Sequence, residues 1–394
     1  MKLLLGGQAF FPALIQAIDA AAESVQLETY IFDMHGIGSD VAEALLRAAR
    51  RGVVVQVLVD GIGSDALSPE WAQKMAQAGV QWCVYSPVGA GLHGLGLLMP
   101  DRWRRLHRKL CVVDQQLAFC GGINILDDFY DPNHGALEAP RFDFAIEVTG
   151  PLAAQIHEAV SLLWWRVQAG YSARKRHLGA AWDKFKAAGY GGRSPSSIRS
   201  TSTGVQAMLV LRDNLTNRSS IEKAYLKAIG HARNEIVIAN AYFMPGRKLR
   251  RALTSAAQRG VKVTLLLHGT YEYFMQYHAA RPVYDTLLKA GIDIHEYKAS
   301  FLHAKVAVVD GRWATVGSSN LDPLSLLLAR EANVVVEDVA FAGELRGHLC
   351  DAIARQGSRI DPAIYRQRPF GRRLLGHVAY ALMRIGIWVA GKRY

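Results

Sequence analysis

Short runs of β-branched and aromatic residues alternate along the chain with Ala-rich, helix-length stretches, and the whole pattern occurs twice. SVQLETYIFD (24–33) and NEIVIANAYFMP (234–245) are strand-like runs. ARRGVVVQVLVDG (49–61) and AQRGVKVTLLLHG (257–269) each open on an Ala/Arg-rich helix end, stop at Gly52 or Gly260, and continue into a buried-strand run. Glycine just past the last turn is the expected C-terminal stop of a helix. AQAGVQWCVYSP (76–87) then matches LKAGIDIHEYKA (288–299), and HRKLCVVD (107–114) matches HAKVAVVD (303–310). Four segments therefore recur in the same order. Strands alternating with helices of roughly 10–15 residues predict an α/β fold, with a largely parallel or mixed sheet in each half. Two such halves are expected to pack as a pseudo-twofold pair.

Residues 166–204, rich in Arg, Lys, Gly and Ser with GYGGRSPSS at their centre, read as a basic linker. It separates a first domain (1–165) from a second (205–360), and a tail (361–394) follows. With 394 residues the chain is long enough for two packed domains. Half of it is hydrophobic and a fifth charged, which excludes a disordered chain. Cys83, Cys111, Cys120 and Cys350 show no metal-ligand spacing. No disulfide framework, zinc site or other metal is implied, and a reducing compartment is expected. A formal charge of +12 suits polyanionic partners, namely nucleic acid, anionic lipid or phosphorylated substrates, without choosing among them. The N-terminal MKLLLGGQAFFPALIQAIDA reads as a first strand and helix rather than a signal peptide. No internal segment reads as a membrane span.

The recurring His-x-Lys-x4-Asp is the chemical signal. On a strand, side chains two apart share a face, so His107 pairs with Lys109 and His303 with Lys305. An imidazole beside an ammonium suits attack on a phosphodiester. Lysine neutralises the phosphate oxygens while histidine acts as nucleophile or proton carrier. One such spacing arises by chance on the order of 10⁻⁴ per position, so two at equivalent places in a duplicated chain are not coincidence. Asp114 and Asp310 stand apart. Seven residues of extended strand span about 23 Å, so anchoring a strand end or turn competes evenly with direct chemistry for both.

A glycine turn follows each motif, CGGIN (Cys120–Asn124) and VGSSN (Val316–Asn320). Asn124, Ser318 and Asn320 there can donate hydrogen bonds to phosphate oxygen. A catalytic histidine also needs an orienting acceptor. Asp143 and Glu331 occupy similar places downstream of the two turns and are the expected partners, against ion pairs with Arg141 and Arg330. Glu28 and Asn240, in the first strand of each half, are weaker candidates for the pocket floor.

These motifs resemble those of the phospholipase D superfamily, His-x-Lys-x4-Asp followed by Gly-Ser/Gly-x-x-Asn, over nearly the whole chain. Within it, QLETYIF, LHRK, IANAYFMPG and ATVGSSNLDPLSL (314–326) look most like the shorter class of bacterial cardiolipin synthases. The resemblance implies two duplicated α/β sandwich domains sharing one active site, with no cofactor. It also implies phosphatidyl transfer between two phosphatidylglycerol molecules through a phosphatidyl-histidine. By analogy His107 is the nucleophile and His303 the acid/base, while Lys109, Lys305, Asn124 and Asn320 bind the phosphate. The family's serine is replaced by Gly122 in the first turn, so an asymmetric site is expected. The shorter class is expected to start at its first strand, without N-terminal membrane helices, and to reach the membrane another way.

The tail offers that way. No acidic residue follows Asp361, and Arg373, His377, Tyr380 and Arg384 fall along one helical face. A membrane span and a core helix compete with an interfacial amphipathic helix, which fits best. The expected location is peripheral, on the cytoplasmic face of a bacterial cell membrane, with phosphatidylglycerol and an anionic surface as partners and no nucleic acid. Residues 89–103, glycine-rich with six Leu, Met or Trp positions, read equally as a loop admitting acyl chains or an ordinary buried loop. His93 within it reads as incidental, and Tyr271, Tyr273, Phe274 and Tyr277 as core packing. The rival functions are hydrolysis, as a phospholipase D or phosphodiester nuclease, and non-enzymatic nucleic-acid binding.

Overall fold

A computed structural model of the chain describes residues 1–64, 66–86, 104–131, 134–174, 200–202, 205–213, 217–269, 274–322 and 329–391. The first half runs β1 (Lys2–Leu5), α1 (Gly6–Ala20), β2 (Ser24–Thr29), α2 (Ile37–Arg50), β3 (Val54–Asp60), α3 (Pro69–Ala78), β4 (Gln81–Tyr85), β5 (Arg105–Leu106), β6 (Leu110–Val113), β7 (Leu117–Gly121), β8 (Tyr130–Asp131), β9 (Gly135–Ala136), β10 (Phe144–Thr149) and α4 (Pro151–Arg174). The second runs β11 (Ser200–Ser202), β12 (Val205–Arg212), α5 (Ser220–His231), β13 (Glu235–Asn240), α6 (Arg247–Gln258), β14 (Lys262–His268), α7 (Phe274–Lys289), β15 (Asp293–Tyr297), β16 (Lys305–Val309), β17 (Trp313–Gly317), β18 (Ala329–Glu337), α8 (Val339–Gln356), β19 (Gly357–Arg359), α9 (Pro362–Arg366) and α10 (Phe370–Gly391).

The duplication read from the sequence is present strand for strand. The first sheet is ordered β1-β10-β7-β6-β2-β3-β4, and β12-β18-β17-β16-β13-β14-β15 repeats that order in the second. Within each sheet the strands joined through helices pair in parallel, β2 with β3 and β3 with β4, β13 with β14 and β14 with β15. The hairpin strands pair antiparallel. Gly52 and Gly260 end the equivalent helices α2 and α6 at φ 91° and 89°, a left-handed step that a Cβ would disfavour.

Alternation along the strands builds three large cores among the described residues. Leu110, Val112, Ala118 and Ile146 of the first sheet meet Val306, Val308, Ala314 and Val334 of the second in one shared interior, with residues of α4 and α8. The opposite face of each sheet is covered by its own helices, α1 to α3 on one and α5 to α7 on the other. The two halves therefore share buried apolar surface, at about 1.5–3 kcal/mol for each large side chain fully covered.

The linker boundary needs correction at its start. Helix α4 continues to Arg174 because its LLWW run has a surface to cover. Leu163 and Trp164 pack with Leu58, Cys83 and Leu106, and the Tyr171 hydroxyl donates to the Val84 carbonyl at 2.6 Å. At the other end Ser200–Ser202 forms β11, paired with β12. Residues 175–199, the loop 89–103 with His93, and Tyr271 and Tyr273 lie outside the described residues. Tyr277 sits on α7 beneath the Arg281 guanidinium, 4.1 Å from its ring centre. The four cysteines are unpaired, and three are buried.

Candidate active site

Each histidine is carried into place by a bridge to the opposite half. Strand β5 pairs in parallel with β18, and the His107 N–H donates to the Arg330 carbonyl at 3.0 Å. The pseudo-equivalent contact is the Phe142–Leu302 bridge, where the His303 N–H donates to the Phe142 carbonyl, also at 3.0 Å. The histidines therefore lie just before their strands: β6 starts at Leu110, and β16 at Lys305. The bridging segments pull them off the sheet and toward each other's half.

The same crossing sets their acceptors. His107 Nδ1 lies 3.0 Å from Glu331 Oε2, and His303 Nδ1 lies 2.6 Å from Asp143 Oδ2. Each imidazole belongs to one half and its carboxylate to the other, with their Nδ1 atoms engaged and Nε2 left for chemistry. Arg141 and Arg330 take other partners, Asp131 at 2.8 Å and the Tyr85 hydroxyl at 3.1 Å. Lys109 Nζ donates to the His107 carbonyl at 2.9 Å, and Lys305 Nζ to that of His303. Both ammonium groups are buried.

The two dyads differ electrostatically. Burial acts to raise the Glu331 carboxyl, but His107, Lys109 and a hydrogen bond from Ser318 outweigh it and hold it below its usual range. Asp143 is pushed up to about 7 by burial, with Lys305 only partly offsetting. Burial lowers both histidines, His303 further because Lys305, Lys109 and His107 all repel its proton. Lys109 falls to about 7, chiefly through burial. These mutual effects mark His107, Lys109, His303 and Lys305 as one converging cluster.

The asymmetry has a local cause in the two glycine turns. Ser318 is fully buried, and its hydroxyl donates to Glu331 Oε2 at 2.5 Å while accepting from the Ala332 N–H at 3.0 Å. The hydroxyl expected on the phosphate is thus directed at the carboxylate, because the β17–β18 hairpin sets Ser318 beside Glu331 and Ala332. At the matching place a Cβ on Gly122 would lie 2.3 Å from Asp143 Oδ1. The shorter acid and the missing side chain go together. Asn124 Oδ1 accepts from the Ile31 N–H at 3.2 Å. Asn320 is buried, and its Oδ1 has no hydrogen-bond partner among the described residues.

Three expectations change. Asp114 and Asp310 are not in the cluster. Asp114 accepts the N–H groups of Ala22, Glu23 and Ser24 at 2.8–2.9 Å, and Asp310 those of Arg233, Asn234 and Glu235 at the same distances. Each carboxylate ties the turn that enters β2 or β13, at the far end of its strand. Glu28 is not on the pocket floor. Its carboxylate meets Arg108 Nη2 at 2.7 Å, a contact between two buried side chains. Asn240 does lie opposite Lys305 in register, and its Oδ1 accepts from the Leu321 N–H at 3.1 Å.

Sequence reasoning missed Asp60 and His268, which end the equivalent strands β3 and β14. Asp60, fully buried, accepts the Leu106 N–H at 2.7 Å, the Ile62 N–H at 2.8 Å and Arg105 Nη1 at 3.2 Å. His268 Nδ1 accepts the Leu302 N–H at 3.2 Å, and burial lowers its pKa to about 4, so the ring is neutral. Each holds the residue before a motif histidine. The signal was available: VLVDG and LLLHG both end an apolar run on a polar side chain at the same place in the repeat. Among the described residues, no group of three or more His, Cys, Asp or Glu is arranged to hold a metal ion.

Residues 14–137 and 225–351 both match one family model, described as cardiolipin synthase, phospholipase D-like domain. Cardiolipin synthase B of Escherichia coli (strain K12) is 37% identical over 395 residues, covering 98% of this chain and 87% of that protein. Cardiolipin synthase 1 of Bacillus anthracis is 30% identical over 331 residues, 84% of this chain and 62% of that one. Among solved structures, phosphatidylserine synthase of Haemophilus influenzae Rd KW20 shares the fold. Its TM-score is 0.70 over 99% of this chain and 94% of that chain, at 14% identity.

Proposed function

The chain belongs to the phospholipase D-like family of cardiolipin synthases, and from that premise we propose that it joins two phosphatidylglycerol molecules into cardiolipin, releasing glycerol. The observation that carries this reading is the crossed pair of dyads, His107–Glu331 and His303–Asp143, with a buried lysine beside each histidine. Two imidazoles on one phosphorus suit two successive displacements.

His107 Nε2 attacks the phosphorus of the donor. The phosphorus–oxygen bond to the headgroup glycerol breaks, and that oxygen takes a proton from His303. The glycerol hydroxyl of a second phosphatidylglycerol then gives its proton to His303 and attacks, breaking the phosphorus–nitrogen bond. Glu331, held ionised, stabilises the positive charge that the phosphorylated His107 ring carries. Asp143, with its carboxyl near 7, gives the His303 dyad a proton that is gained and lost near neutral pH. Lys109 and Lys305 counter the charge on the phosphate oxygens; Asn240 lies opposite Lys305 in register, and Asn124 and Asn320 stand in the two glycine turns that follow the motifs.

The substrate is an anionic amphiphile, so the enzyme works at an anionic membrane surface on the cytoplasmic face, bound peripherally. Among the described residues no helix is long and apolar enough to cross a membrane. The test is product analysis with phosphatidylglycerol labelled in both phosphate and headgroup. Cardiolipin and free glycerol in equal amounts support transfer. Phosphatidic acid without cardiolipin would make water the acceptor and overturn it.

A further inference from the structure

Helix α10 is fastened to the second half by a narrow seam. Ala379 is buried, and Tyr380 and Met383 pack against the outer core of that half. Gly376 completes the seam: a Cβ there would come within 3.3 Å of the His278 carbonyl and 3.5 Å of Pro282 Cδ, so glycine lets α10 lie close on α7. Just before the helix, Arg368 meets Asp285 at 3.2 Å, and the Tyr365 hydroxyl donates to the Arg281 carbonyl at 3.0 Å. Residue 368, two positions before the helix, thus meets 285, whereas residue 376 meets 278 and 282. Helix α10 therefore runs antiparallel to α7.

The opposite face of α10 is apolar and uncovered. Phe370, Leu374, Val378, Leu382 and Ile385 are spaced 4, 4, 4 and 3 apart, which sets them in one stripe. Each is between 45% and 77% exposed. That is far more apolar surface than scattered single residues would explain. Arg373, His377 and Arg384 run along one edge of the stripe and are exposed, and no acidic residue lies on this helix. The direction of α10 adds a constraint. α7 begins a few residues after His268, whose ring holds the residue preceding His303. The later turns of α10, with Leu382, Arg384 and Ile385, therefore point toward the active-site end of the second half.

We propose that α10 is a fixed membrane-docking ridge, which lays this stripe into an anionic bilayer and presents the active-site end of the second half to the lipid. The inference deepens the proposed function, on which its choice of an anionic lipid rests. A basic edge beside an apolar stripe matches the charge and polarity of such a surface. The seam makes it a ridge of set orientation rather than a loose tail.

The test uses the full chain and Leu374→Glu/Leu382→Glu, both exposed positions whose replacement leaves the seam intact. Binding is measured by sedimentation with vesicles of phosphatidylglycerol and phosphatidylethanolamine, and turnover with short-chain phosphatidylglycerol dispersed below its micelle threshold. The expected result is more than about tenfold weaker vesicle binding by the variant, with turnover of dispersed lipid unchanged. Arg373→Gln/Arg384→Gln should weaken binding to anionic vesicles alone. Unchanged sedimentation of the glutamate variant would overturn the proposal. So would a wild-type dimer, seen by analytical ultracentrifugation, that the glutamate variant abolishes while vesicle binding persists. Failure of the wild type to form cardiolipin from dispersed lipid would count against the catalytic reading and leave the vesicle comparison standing.

Discussion

Replacing Asp310 by Ala removes the acceptor of three backbone N–H groups, those of Arg233, Asn234 and Glu235. The carboxylate is half-buried, so each charge-assisted bond is taken at about 1 kcal/mol, below the roughly 1.5–3 kcal/mol of a bond to a fully buried charge. Asp310 also sits at φ 52°, a left-handed conformation that Asp tolerates and Ala resists by about 1 kcal/mol. The expected loss is about 3–4 kcal/mol. Asp114→Ala should match it, because Asp114 repeats the arrangement at φ 48°. The pH dependence has a definite sign. Burial acts to raise the Asp310 carboxyl, but the three donors and Arg233 hold it below the usual value. Its contribution is therefore present above about pH 4 and is lost as pH falls through the folded-state pKa. Urea unfolding at pH 7 and again near pH 3 measures both effects. Steady-state turnover of the folded fraction should stay within about threefold of wild type. A thousandfold fall in kcat with unchanged unfolding would refute the reasoning and return the motif aspartates to the chemistry.

Asp143→Asn should slow turnover by about 10²-fold or more by loosening His303. It should also stabilise the protein above pH 7 by a few kcal/mol. Burial raises the wild-type carboxyl to about 7, so wild-type stability falls as pH rises from about 4 toward 7, and Asn has nothing to ionise. Thermal unfolding across pH 5–9 beside turnover checks both. Gly122→Ser should lower kcat more than about tenfold, because its Cβ would displace the Asp143 carboxylate; turnover and a His303 imidazole titration by NMR report it. Asp60→Asn should cost about 1–3 kcal/mol and lower kcat with KM little changed, whereas Asp60→Ala should cost more, since Asn keeps one acceptor for the Leu106 N–H.

Much of this architecture was legible because it is local. Each repeat carries its own strand runs and glycine stops, and the two-residue spacing paired each motif His with its Lys, although both histidines lie just before their strands. Asp143 and Glu331 were also visible as candidates, since each precedes an apolar strand at a matching offset. Which acid meets which histidine was not visible. His107 and Glu331 are 224 residues apart, and His303 and Asp143 160, so only the packing of the two sheets decides the crossing. Ser318 misled because a serine in a turn looks the same whether its hydroxyl faces ligand or carboxylate. Glu28 misled for a similar reason. Arg108 has Ala304 as its counterpart in the second motif, and nothing local reveals that the larger side chain brings a buried partner with it. The helical extension of α4 through Arg174 depended on a surface, around Leu58 and Leu106, contributed from elsewhere in the chain.

The claim at the centre is one site built from both halves, through which every phosphatidyl group passes. Quenching the wild-type enzyme during turnover of phosphatidylglycerol and mapping the modified peptides tests it most directly. The expected result is at most one phosphatidyl group per chain, on the peptide containing His107, and none in either His107→Ala or Glu331→Gln at the same time point. Adducts approaching two per chain, one on each motif histidine, would mean that each half works alone and would contradict it.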